Sequence, residues 1–137
     1  MLSHLHHVQL AMPPGREDDA RGFFAGVLGM TEIEKPPVLA ARGGAWFRGG
    51  GVEIHLGVED PFAPARKAHP GLVVVDLDDA ARRVATTGQG VTWDTDFPGS
   101  AASTPTTERP PRVPGTRRRP ARGQLSLRVS AGSPPPA

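Results

Sequence analysis

Apolar residues recur at every second position at the start of the chain. From His4 to Met12, Val8, Leu10 and Met12 lie on one side of an extended stretch. His7, Gln9 and Ala11 lie on the other, the pattern of a half-buried strand. The turn MPPG follows, and the period then changes. Glu17, Asp18 and Asp19 put negative charge into the first turn of a helix, where it complements the dipole. Ala20, Phe23, Phe24, Val27 and Leu28 follow at helical spacing, with Gly29 as the predicted stop. Three short strands are predicted next, over about Thr31–Glu34, Ala45–Arg48 and Val52–Val58, with PPVLAARGG and GGG as loop and turn. In the last of them Val52, Ile54 and Leu56 share one face, and Glu53 and His55 the other. This first module reads β-α-β-β-β.

Asp60 to Ala68 is a connector, after which the pattern starts again. HPGLVVV is a strand, LDDAARRVATTG a helix stopped by Gly88, and VTWD another strand. The second β-α-β follows the order of the first, an internal repeat. Two further strands are due after Gly99, and the pattern marks none. The predicted fold class is α+β, a βαβββ module followed by an incomplete repeat of it whose last two strands are not evident. The domain spans 1–99, with module one at 3–58 and module two at 69–99. Residues 100–137 form a Pro- and Arg-rich tail expected to be disordered.

Charge sharpens that boundary. The net charge of +2 is an average over unlike parts. Residues 1–99 hold 9 basic and 13 acidic residues, whereas 100–137 hold 7 arginines against Glu108 alone. The basic character therefore belongs to the tail, which also carries 8 of the 16 prolines and no aromatic residue. With no cysteine, disulfides, thiolate metal sites and cysteine nucleophiles are excluded. No signal peptide and no membrane-length apolar run is visible, so a cytoplasmic location is expected.

The chemistry lies on the polar strand faces. His7 on the first strand, Glu53 and His55 on the fourth, and His69 at the opening of the fifth face away from the apolar side. Imidazole and carboxylate donors on strands suit a divalent ion such as Zn, Ni, Fe or Mn. No H-x-x-H or H-E-x-x-H motif supports them, so the reading rests on strand faces. An inward Glu can also face solvent, and a His before Pro70 can simply begin a strand. Gln9 and His55 are candidate pocket residues. Trp46 joins them as a pocket residue, although a core role is the commoner one. His4 and His6 read as surface residues.

LHHVQLAM, FFAGVLGM, GVEIHLGV and HPGLVVVDLDDA together resemble the vicinal oxygen chelate superfamily, which includes glyoxalase I, bleomycin and fosfomycin resistance proteins and extradiol dioxygenases. The resemblance covers about residues 3–99 and implies paired βαβββ modules forming a cup-shaped mixed sheet, the second module incomplete. It implies metal ligation by His7 (in L-x-H-x-x-L), Glu53 (in V-E-I) and His69 (in H-P-x-L). A fourth ligand, normally the Glu of a terminal D-P-x-G-N-x-x-E-F segment, has no counterpart. The implied activity is metal-dependent lyase or dioxygenase chemistry on a small molecule with adjacent oxygens. Glu53 would be the catalytic base only if it leaves the metal during turnover. A homodimer is implied as well. The alternatives are a metal-free small-molecule or antibiotic binder, and a nonfunctional remnant.

Three readings compete for the tail. A basic arm for nucleic acid lacks interleaved aromatics and any reading motif, so a nucleic-acid partner is disfavoured. A linker is consistent with the composition. The third is translation out of frame. With codons chosen freely, the stretch after Ser100 can spell R-R-F-Y-T-D-D two bases on. Glu108 to Thr116 can spell N-A-R-L-E-F-L-E one base on. Both strings resemble the family's closing strands, and this reading is favoured.

Overall fold

The alternating segment at the start of the chain becomes strand β1 (Val8–Met12), while residues 1–7 are exposed and stand outside the sheet. In the computed structural model, which describes residues 1–88, 90–93, 100–104 and 122–127, β1 opens the first of two compact units, Met1–Pro64 and Ala65–Gly132. Helix α1 (Glu17–Ala20) continues into a π-helical stretch over Arg21–Val27. There the Leu28 amide donates to the Phe23 carbonyl, five residues back, at 3.0 Å. The spacing predicts one helix of ordinary pitch. The widened turn is a backbone feature that side-chain periodicity does not report. Gly29 ends it with a φ of 69°.

The unit is completed by β2 (Thr31–Ile33), α2 (Pro37–Ala40), β3 (Trp46–Gly49) and β4 (Val52–Val58). Helix α2 falls in what the pattern reads as loop, and Pro37 sits in its first turn, where a missing N–H costs nothing. The sheet order is β1-β4-β3-β2, with β1 parallel to β4 and the other pairs antiparallel. Gly50 and Gly51 join β3 to β4 with φ of 57° and 79°, the two positive values a tight hairpin turn needs. That turn sets Arg48 opposite Glu53 and Trp46 opposite His55.

Phe47 and Ile54 are fully buried, with Met12, Phe24 and Leu56 beside them in the core. The Phe24 ring stacks on Phe47 with centroids 5.1 Å apart, so the helical segment covers the apolar face of the sheet. Gly44 has a φ of 80° and lies so close to the Leu56 carbonyl that a Cβ there would collide with it. The opposite face, carrying the odd-numbered residues of β1 and β4, is the polar one.

The second unit comprises β5 (Gly71–Val74), α3 (Leu77–Ala85), β6 (Gly90–Trp93), β7 (Ser100–Thr104) and β8 (Gly123–Leu127). Helix α3 begins at Asp76, whose carboxylate accepts from the Asp79 amide at 2.9 Å, and buries Leu77, Ala81 and Val84. The sheet order β5-β8-β7-β6 repeats the slot order of the first sheet. The architecture is thus α+β, with two mixed four-stranded sheets in βαβββ order.

Two points correct the expectation for the tail. Residues 100–104 and 123–127 are strands, where the sequence pattern marks none. SAAST has no large apolar side chain to show alternation. GQLSL is a short alternating run between arginines, with Leu125 fully buried. The repeat is also not exact. In the first unit the last strand is parallel to the first (β1 with β4), whereas β8 is antiparallel to β5 and parallel to β7. The remainder of 100–137 lies outside the described residues. Among the described residues no helix is long and apolar enough to cross a membrane.

Candidate functional site

Three neighbouring strands supply the polar face of the first unit. β1 brings Gln9 with His7 just before it, β4 brings Glu53 and His55, and β3 brings Trp46 and Arg48. Gln9 is paired with His55, and His55 with Trp46. Side chains on adjacent strands stand about 4.8 Å apart, close to ring-stacking distance. The rings follow that spacing. Trp46 and His55 stack with centroids 3.7 Å apart and planes 3° from parallel, and His7 stacks on His55 at 4.1 Å and 14°. His6 meets His7 edge-on at 5.1 Å, with their Nδ1 atoms 2.8 Å apart. His55 is buried, His7 exposed, and Trp46 half-buried.

Glu53 sits at the foot of this ladder, its side chain 11% exposed. Oε1 accepts from His55 Nε2 at 2.7 Å. Oε2 accepts from Arg48 Nε at 2.9 Å and lies 2.8 Å from Arg48 Nη2. These donors hold its carboxyl down at about 2, the His55 hydrogen bond contributing most and Arg48 next. A carboxylate held in this form can only accept, so His55 Nε2 carries the proton. Gln9 lies across Gly57, whose missing Cβ leaves room for the side-chain amide.

His69 falls in the second unit, two residues before β5 and not within it. It is exposed, and its Nδ1 lies 2.8 Å from the Lys67 carbonyl. A carbonyl can only accept, so Nδ1 is the donor and Nε2 is the ring nitrogen left for another partner. His4 is exposed and paired locally with Ser3. The structure therefore gathers Gln9, Trp46, Glu53 and His55 on one sheet face, with His7 stacked on His55 from just before β1, while His69 belongs to the other unit.

The donors fit a divalent ion in kind. They are imidazole nitrogens and a carboxylate kept ionised. Among the described residues no three such groups already surround one point. Glu53 spends both oxygens on Arg48 and His55. Arg48 is the participant that sequence reasoning passed over. The signal was available in its place directly across the GGG turn from Glu53, the antiparallel position where opposite charges pair.

Among solved structures, the chain is similar to a glyoxalase family protein from Bacillus anthracis, with 32% identity, a TM-score of 0.67, and 94% of this chain and 98% of that one covered. The hexagonal form of FosX, a fosfomycin resistance protein from Listeria monocytogenes, matches with 15% identity and a TM-score of 0.52 over 94% of this chain and 96% of that one. TnmS3, an antibiotic binding protein from Streptomyces sp. CB03234, matches with 16% identity and a TM-score of 0.50 over 94% of this chain and all of that one. The last two likenesses are of fold alone. No protein-family model and no curated protein matches the chain.

Proposed function

The chain belongs to the glyoxalase family of the vicinal oxygen chelate superfamily, and from that premise we propose that it performs divalent-metal-dependent chemistry on a small molecule with adjacent oxygens, with His7 and Glu53 of the first unit among the ligands. The observation that carries the reading is the Glu53 carboxylate, held ionised on a strand face by His55, on whose ring His7 stacks. A divalent ion bound there supplies Lewis-acid polarisation of substrate oxygens.

The remaining work falls to the protein's own groups. The stacked Trp46, His55 and His7 rings line the polar face next to Glu53 and would pack against one side of a bound molecule. The Gln9 amide, lodged over Gly57, offers a donor and an acceptor to orient it. His55 Nε2 keeps Glu53 in place. A carboxyl with a pKa of about 2 is a weak proton acceptor at neutral pH, so Glu53 serves as an anion while Arg48 and His55 hold it. It becomes a useful base only once they release it. The protein is further proposed to act as a homodimer.

The substrate class sets the test. Acetohydroxamate presents two adjacent oxygens to a metal, and its effect on melting temperature is measured with and without added zinc. Stabilisation only in the presence of zinc is expected. Equal stabilisation in zinc-free protein contradicts the proposal and points to a metal-free binder.

A further inference from the structure

The pairing of Glu53 with Arg48 poses a question of competition. Arg48 places two N–H groups against a single oxygen, Oε2, and His55 takes Oε1. Arg48 Nε takes a lone pair of Oε2 while Nη2 crowds the same oxygen at 2.8 Å, and His55 takes a lone pair of Oε1. A cation that bonds Glu53 must therefore either share a crowded carboxylate with a guanidinium or displace it. Sharing sets like charges within a few ångströms of one another.

The two partners differ in freedom. Glu53 is 11% exposed and anchored by His55, whereas the Arg48 side chain is 62% exposed. Arg48 can therefore swing into water and Glu53 cannot follow. The contact is built into the backbone, because the Gly50–Gly51 turn fixes Arg48 and Glu53 as direct cross-strand partners. Cross-strand pairing thus keeps the guanidinium within reach of the carboxylate.

We infer that Arg48 is a built-in competitor for the cation at Glu53, holding the carboxylate in place until a divalent ion displaces the guanidinium into solvent. Arg48 is in this sense a positioning residue that sets metal affinity without being a ligand. The inference rests on Glu53 being a metal ligand, as proposed above. It gives a sign that a purely structural role does not. Removing a structural support weakens binding, whereas removing a competitor strengthens it.

The test is calorimetric titration of the full chain with zinc chloride alone, for the wild type, Arg48→Gln, Arg48→Lys and Glu53→Gln, each checked for folding by circular dichroism. Arg48→Gln is expected to bind zinc about fivefold more tightly, the size of an ion pair with one partner in solvent. Arg48→Lys, which keeps the charge but loses the planar fork, is expected between Arg48→Gln and wild type. It carries the test alone if Arg48→Gln does not fold. Glu53→Gln is expected to lose most of the affinity. Zinc binding that is unchanged or weaker in the Arg48 variants overturns the competition and leaves the metal reading standing. Undiminished binding by Glu53→Gln also overturns it. Absence of zinc binding in wild type and Arg48→Gln alike overturns the metal reading, and the inference with it.

Discussion

Glu53 concentrates the consequences at the residue scale. Its pKa in the folded chain, about 2, lies below the ordinary value of 4.5. A depressed carboxyl contributes stability that is complete above its unfolded pKa and is lost as pH falls through the folded one. The relevant window therefore runs from about pH 5 down to pH 2. Glu17, which accepts from the Gly44 amide, and Asp79, paired with Arg83 and Arg82, are lowered as well. The wild type alone thus cannot isolate Glu53. Urea midpoints measured against pH for wild type and Glu53→Gln are expected to converge as the pH drops toward 2. A constant gap between the two across that window contradicts the assignment.

At the scale of elements, helix α3 offers a clean measurement. Asp76 caps it through the Asp79 amide, and Asp76→Ala is expected to cost about 1 kcal/mol in urea denaturation. A change within error would show that the cap contributes nothing. This helix was legible in the sequence because Leu77, Ala81 and Val84 repeat at helical spacing behind an acidic first turn. β4 was legible for the same kind of reason, since Ile54 and Leu56 alternate with Glu53 and His55. The π-helical turn was not, because the burial of Ala20 and Phe24 fits either pitch. β7 was not, because alanine and serine show no contrast between its faces. The ring ladder was legible only in part. Alternation puts Trp46, His55 and His7 on their faces, but their stacking depends on a cross-strand register that the hairpin turn supplies. His69 was expected to open β5, and instead it precedes the strand and is fixed by the Lys67 carbonyl.

At the scale of the molecule, the internal repeat orders the elements, and its departure in the second unit bears on the tail. β8 enters its slot with the opposite direction to its counterpart β4. A strand made for that slot would run parallel to β5, so the segment's polarity sits poorly with the repeat. We propose separately that the tail is read out of frame, and the codons of residues 100–116 test that. The metal proposal rests on His7 and Glu53, both in the first unit. Its most direct test is the metal content of the full chain after zinc loading and exhaustive dialysis, read by plasma mass spectrometry for wild type and His7→Ala. One ion per wild-type chain and near none for His7→Ala is the expected result; no retained ion in the wild type, or equal retention in both, contradicts it.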